Sequence, residues 1–107
     1  MAEARLIALY PHPTDTQQFD RDYKEHLKLL HEKLQLPQHA RPYTVTRFAE
    51  TPMGKAAYYQ MFSFPFPSAE ALQQALNTPA MAELAADAVR ISSGGTPVFL
   101  AGIEARD

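Results

Sequence analysis

An α+β domain with its elements in the order β-α-β-β-α-β is what this sequence predicts. Three observations carry that expectation. Four short segments are apolar or rich in β-branched and aromatic residues, and each is bounded by a turn signal. The two stretches between them repeat apolar residues at helical spacing and open on a Ser, Thr or Asp cap. No internal repeat, low-complexity tract or linker divides the 107 residues. One domain spanning 1–107 is therefore expected.

The elements follow in order. "ARLIALY" (Ala4–Tyr10) is a short apolar run stopped by "PHP", which predicts a buried strand. "TDTQQ" opens a helix, with Asp15 capping the first turn and Gln18 completing a capping-box-like pair. This helix runs to about Leu34 and ends before Pro37. "RPYTVTRFAE" (Arg41–Glu50) predicts a second strand, "TPMGK" a turn, and "AAYYQMFSF" (Ala56–Phe64) a third strand ended by "PFP". Ser68 caps a helical run. Thr78 caps its restart, with Pro79 in the first helical position, where a missing N–H costs little. "SSGG" is a flexible connection, and "TPVFLAGIE" (Thr96–Glu104) is the last strand.

This order is the ferredoxin-like, or split βαβ, arrangement. It predicts a four-stranded antiparallel sheet with helices on one face and the first and third strands in the centre. A sheet with one solvated face alternates apolar and polar residues. "LIALY" and "VFLAGI" instead are apolar on both faces, and one helical layer covers only one. A second copy of the sheet is the simplest cover, so a homodimer is expected.

Composition excludes several classes. Apolar residues make up 46% of the chain, which argues against disorder. The formal net charge of −2 comes without a basic cluster, so no nucleic-acid partner is expected. No apolar run approaches the roughly 20 residues of a membrane span, and the N-terminus lacks signal-peptide features. The absence of cysteine removes disulfides, thiolate catalysis and Cys-based metal sites. A cytoplasmic location and no cofactor or metal are the expectation.

The candidate for chemistry is His26, in "FDRDYKEHLKLL" (Phe19–Leu30). At about 100° per residue it falls within the Phe19–Tyr23–Leu30 stripe, opposite Lys24, Lys28 and Glu32. An unpaired buried imidazolium is costly, so the ring is neutral or hydrogen-bonded. It is either a core histidine tied to a backbone carbonyl or a group projecting into a helix–sheet cavity. His12, His31 and His39 form no i, i+4 metal pair. Glu83 and Asp87, one turn apart, solvate or cap a helix. The strand aromatics Tyr10, Tyr43, Tyr59 and Phe99 are candidates for a ligand-binding wall, since such rings offer apolar bodies and, in tyrosine, a hydroxyl.

"ALYPHP" followed by "FDRDYKEHLKLL" resembles the opening of the EthD family, named for ethyl tert-butyl ether degradation. A first strand there ends in a "YP" turn, and a helix follows with an F-D-x-x-Y…H pattern, matched by Phe19, Asp20, Tyr23 and His26. The Tyr-to-His gap here is shorter, and Leu27–Lys28 stands where a proline is common. "SAEALQQALNTPAMAELAADAVRI" and "TPVFLAGIE" resemble the family's closing helices and last strand, with Asp87 at the Asp of an "A-D-V"-like segment. The resemblance implies a dimeric α+β barrel with its site in the cleft between helices and sheet. His26 is then the expected catalytic residue, with Tyr23 orienting it or the ligand. The implied function is binding or transforming a small apolar organic compound, as a step in a degradation pathway. The alternatives are a non-catalytic ligand-binding or accessory protein, and a haem-degrading or cofactor-free monooxygenase-type enzyme.

Overall fold

The computed structural model describes residues 3–105. Strands β1 (Ala4–Tyr10), β2 (Thr44–Arg47), β3 (Gln60–Phe66) and β4 (Val98–Ile103) form one sheet. Helices α1 (Thr16–Lys33), α2 (Ala69–Leu76) and α3 (Pro79–Ile91) complete the element order. The sheet order is β2-β3-β1-β4, all neighbours antiparallel, so β1 and β3 are central as expected.

The helix starts follow the local chemistry. Side chains of Asp15, Ser68 and Thr78 accept from the backbone N–H three residues on, each satisfying a donor left free in the first turn. The capping box at α1 is only half made. The Gln18 side chain bonds Asp22 and Arg21 rather than returning to Asp15. Three strands differ from their expected bounds: the last keeps only Val98–Ile103 of Thr96–Glu104, and the third starts at Gln60 rather than Ala56. The second is shorter, limited to the four residues that find partners on β3. The third runs on through Pro65. That residue pairs with Arg5 of β1 beyond Ser63, where β2 ends, so its missing N–H disrupts no second ladder.

Register decides which side chains share a face. Ala8 pairs with Phe62 and Phe99, while Ile7 pairs with Ser63 and Leu100. Opposite residues in an antiparallel ladder point the same way, and successive residues alternate. The Ala8 face, with Tyr10 and Phe62, packs into the core against Phe19, Tyr23 and Leu30 of α1 and Leu84, Ala88 and Ile91 of α3. The other face presents Ile7, Leu9, Met61, Val98 and Leu100. Leu100 there is 45% exposed.

The loop before β4 is more tightly held than its glycines imply. Ser93 Oγ accepts from the Thr14 backbone N–H at 3.1 Å, and Ser92 Oγ donates to the Gly95 carbonyl at 2.6 Å. A Cβ at Gly94 would lie 1.7 Å from the His12 carbonyl oxygen, so only glycine fits there.

Candidate functional site

A cavity of about 220 Å³ lies between α1, α3 and the Ala8 face of the sheet. Leu6, Ala8, Tyr10, Phe62 and Phe99 form its sheet wall. His26 and Leu30 of α1, Leu76 of α2 and one side of α3 form the helical wall. Part of the space exists because α3 turns alanines, Ala82, Ala85 and Ala88, toward it. Of the lining residues only Tyr10 and His26 carry a side-chain nitrogen or oxygen.

His26 is placed there by the α1 stripe, and it is 6% exposed. Its Nδ1–H donates to Asp87 Oδ2 at 2.8 Å, and Asp87 Oδ1 accepts from Arg90 Nε at 2.8 Å. α3 thus supplies a carboxylate and the guanidinium that holds it, three residues apart. A carboxylate only accepts, so the proton of a neutral His26 sits on Nδ1 and Nε2 keeps its lone pair. Among the described residues Nε2 has no hydrogen-bond partner.

The electrostatics agree with a neutral ring. Burial pushes His26 below the ordinary histidine value; the bond and charge of Asp87 oppose this, and the Arg90 charge adds to it. For Asp87, burial works upward, but the hydrogen bonds and charges of His26 and Arg90 outweigh it and hold the carboxyl below the usual range. Burial raises the Tyr10 hydroxyl, and the Asp87 charge raises it further, so Tyr10 stays a neutral phenol.

The other candidate residues are distributed differently. Tyr23 lies behind the cavity wall. Its ring stacks on Phe19, meets Tyr10 edge-on at 5.6 Å, and tilts against His26 at 5.9 Å between centroids. Its hydroxyl is buried without a hydrogen-bond partner among the described residues. Burial and Tyr10 raise its pKa, against the opposing influence of the Gln60 side chain. Tyr59 sits at the β2 side, its hydroxyl 3.3 Å from Asp20 and its ring under the Arg47 guanidinium at 4.0 Å. The Tyr43 hydroxyl donates to His31 Nε2 at 2.6 Å, on another side of α1. The structure therefore brings Tyr10, His26 and Phe99 to the cavity and leaves Tyr23, Tyr43 and Tyr59 off its wall.

Asp87 is not a solvating or capping group, as its distance from Glu83 had implied. Glu83 bonds Lys33 instead, at 2.6 Å. A signal for Asp87 was present. It lies about 40° from Ile91 around α3, on the flank of the Met81–Leu84–Ala88–Ile91 stripe, where a carboxylate reaches the neighbouring helix. Among the described residues no three His, Asp or Glu side chains converge on a metal site. No helix among them is long and apolar enough to cross a membrane.

The family described as the EthD domain matches residues 11–95. The chain belongs to the EthD family. A solved EthD family protein of Bacillus halodurans is 32% identical, with a TM-score of 0.77, over 98% of this chain and 100% of that one. More distant structures share the ferredoxin-like fold. A dimeric ferredoxin-like protein of unknown function from Jannaschia is 14% identical with a TM-score of 0.63, over 94% of this chain and 97% of its own. A DABB family protein from Mesorhizobium loti is 16% identical with a TM-score of 0.61, over 99% and 98%. No curated protein matches this EthD chain.

Proposed function

We propose that this EthD protein binds a small apolar organic compound in the His26 cavity and transforms it by proton transfer, acting as a homodimer. The observation that carries this reading is the wall itself: apolar throughout except for Tyr10 and His26, with His26 anchored to Asp87. The cavity is smaller than the roughly 300–1,000 Å³ of sites for drug-sized ligands, so the compound is compact. His26 Nε2 is the acceptor for an acidic C–H or O–H of that compound. The imidazolium formed would be stabilised by the Asp87 carboxylate, and Tyr10 would donate to a developing negative oxygen.

The test is a thermal-shift screen of small neutral apolar compounds, with hits located by amide shifts around Phe62, Ala85 and Ala88. Ala85→Phe puts a ring into the cavity. It is expected to weaken a true hit by about tenfold or more while the protein still unfolds cooperatively. A hit that binds Ala85→Phe unchanged sits elsewhere and defeats the assignment. Binding without turnover, also in the presence of wild-type His26, would make the protein a carrier.

A further inference from the structure

α1 carries a second stripe that faces away from the cavity. Lys24, Leu27, Lys28 and His31 follow at i, i+3, i+4 and i+7, and the chain leaving the helix folds back toward them. Gln35 makes that reversal in the left-handed region, at φ 56°, a conformation a non-glycine residue adopts at some cost. The Leu36 N–H then bonds the His31 carbonyl at 2.8 Å, six residues inclusive, as in a helix-ending Schellman turn. Between stripe and loop is a groove of about 670 Å³.

The groove is built from its base upward. His31 Nδ1–H donates to the Pro37 carbonyl at 3.0 Å, which leaves the single lone pair of Nε2 to accept from the Tyr43 hydroxyl at 2.6 Å, with Arg41 Nη1 sharing that nitrogen at 3.1 Å. Arg41 Nη1 also bonds the Gln38 carbonyl. One nitrogen thus fixes the guanidinium, and among the described residues Nε and Nη2 carry no bond. Lys24 has no ion-pair partner among them either. Lys28 pairs with Glu25 at 3.1 Å, but both are well exposed, and such pairs are weak. Leu27 and Leu36 give the groove apolar surface. Three cations stand against one lining carboxylate, Glu32, on a chain whose formal net charge is −2.

We propose that this groove binds an organic monocarboxylate, with its charged end among Lys24, Lys28 and Arg41 and its hydrocarbon body on Leu27 and Leu36. Charge complementarity selects the anion. The planar fork of Arg41, held at one nitrogen, suits a carboxylate. Two leucines select an apolar tail over a bare ion. Three basic residues in a concave groove fit a small molecule better than a nucleic-acid backbone. The site lies on a different face of α1 from His26 and does not depend on the reading of that cavity.

Octanoate is the probe, with octanol as the neutral counterpart and inorganic phosphate as the anion without a tail. Amide shifts of the full chain should saturate with octanoate at Leu27, His31 and Leu36. Octanol and phosphate should bind there at least about tenfold more weakly, and added salt should weaken octanoate by screening. Lys24→Glu changes only an exposed side chain and should weaken octanoate about tenfold, while Ala85→Phe should leave it unchanged. Saturable shifts confined to Phe62, Ala85 and Ala88 would overturn the proposal, as would no saturation at about 10 mM. Equal binding of octanol or phosphate, or Lys24→Glu without effect, would overturn it too.

Discussion

Asp87→Ala should destabilise the protein by about 2 kcal/mol at pH 7.5, because it orphans a buried donor. His26 Nδ1–H has the Asp87 carboxylate as its partner, whereas exposed Arg90 regains water. The pH dependence is the sharper readout. The folded-state pKa of His26 lies below its unfolded value, so the unfolded chain takes up a proton that the native ring refuses. The stability gained by keeping this ring neutral is complete above about pH 6.5. It is lost as pH falls toward the folded value and then levels. Asp87 acts in the same sense at lower pH. Its depressed pKa gives stability that is present above about pH 3.9 and lost as acid protonates the folded carboxyl. Asp87→Asn removes the charge that lifts His26, so the ring's folded pKa should fall further and its share of the acid loss should extend lower. Urea unfolding across pH, with histidine titrations assigned by NMR, isolates this ring from the other three histidines. His26 titrating above its ordinary value, or Asp87→Ala without a stability change, would contradict the neutral-ring geometry.

Much of this architecture was legible because it is local. Asp15, Ser68 and Thr78 announce three helix starts, and the apolar runs mark four strands. His26 was legible as a polar residue on an apolar stripe. Its partner was not, because 61 residues separate His26 from Asp87 and only the packing of α1 against α3 joins them. The family resemblance marked Asp87 without giving it a role. Tyr23 shows the limit of helical spacing. Being three residues from His26 makes the rings neighbours, yet the Tyr23 ring turns between Tyr10 and Phe19 rather than into the cavity. His31 was passed over because its partners lie in the irregular Leu34–Tyr43 loop, which has no periodicity to read.

Leu100→Lys should convert the proposed dimer into a folded monomer. The sequence left open whether this substitution would strike the core or an interface. Register answers the structural half of that question: Leu100 pairs with Ile7, on the face opposite Ala8 and the helices. Four strands at ordinary spacing, up to seven residues long, give that face roughly 19 by 23 Å of flat area. With side-chain relief on both copies this approaches the lower end of the ~1,200–2,000 Å² buried by stable interfaces. Ile7, Leu9, Met61, Val98 and Leu100 are its apolar surface, and Arg5 is its charge, bonded to Ser63 Oγ at 2.9 Å. A lysine at position 100 reaches water in a monomer at little cost. Across a two-fold axis it would bring an unpaired ammonium from each copy into the apolar contact, which costs several kcal/mol. Light scattering at about 5 μM should give near twice the 12.0 kDa chain mass for wild type and the single-chain mass for Leu100→Lys. Urea unfolding of the variant separates monomerisation from loss of fold. A monomeric wild type would remove the sheet-to-sheet dimer. A Leu100→Lys protein that stays dimeric would move the interface to another surface.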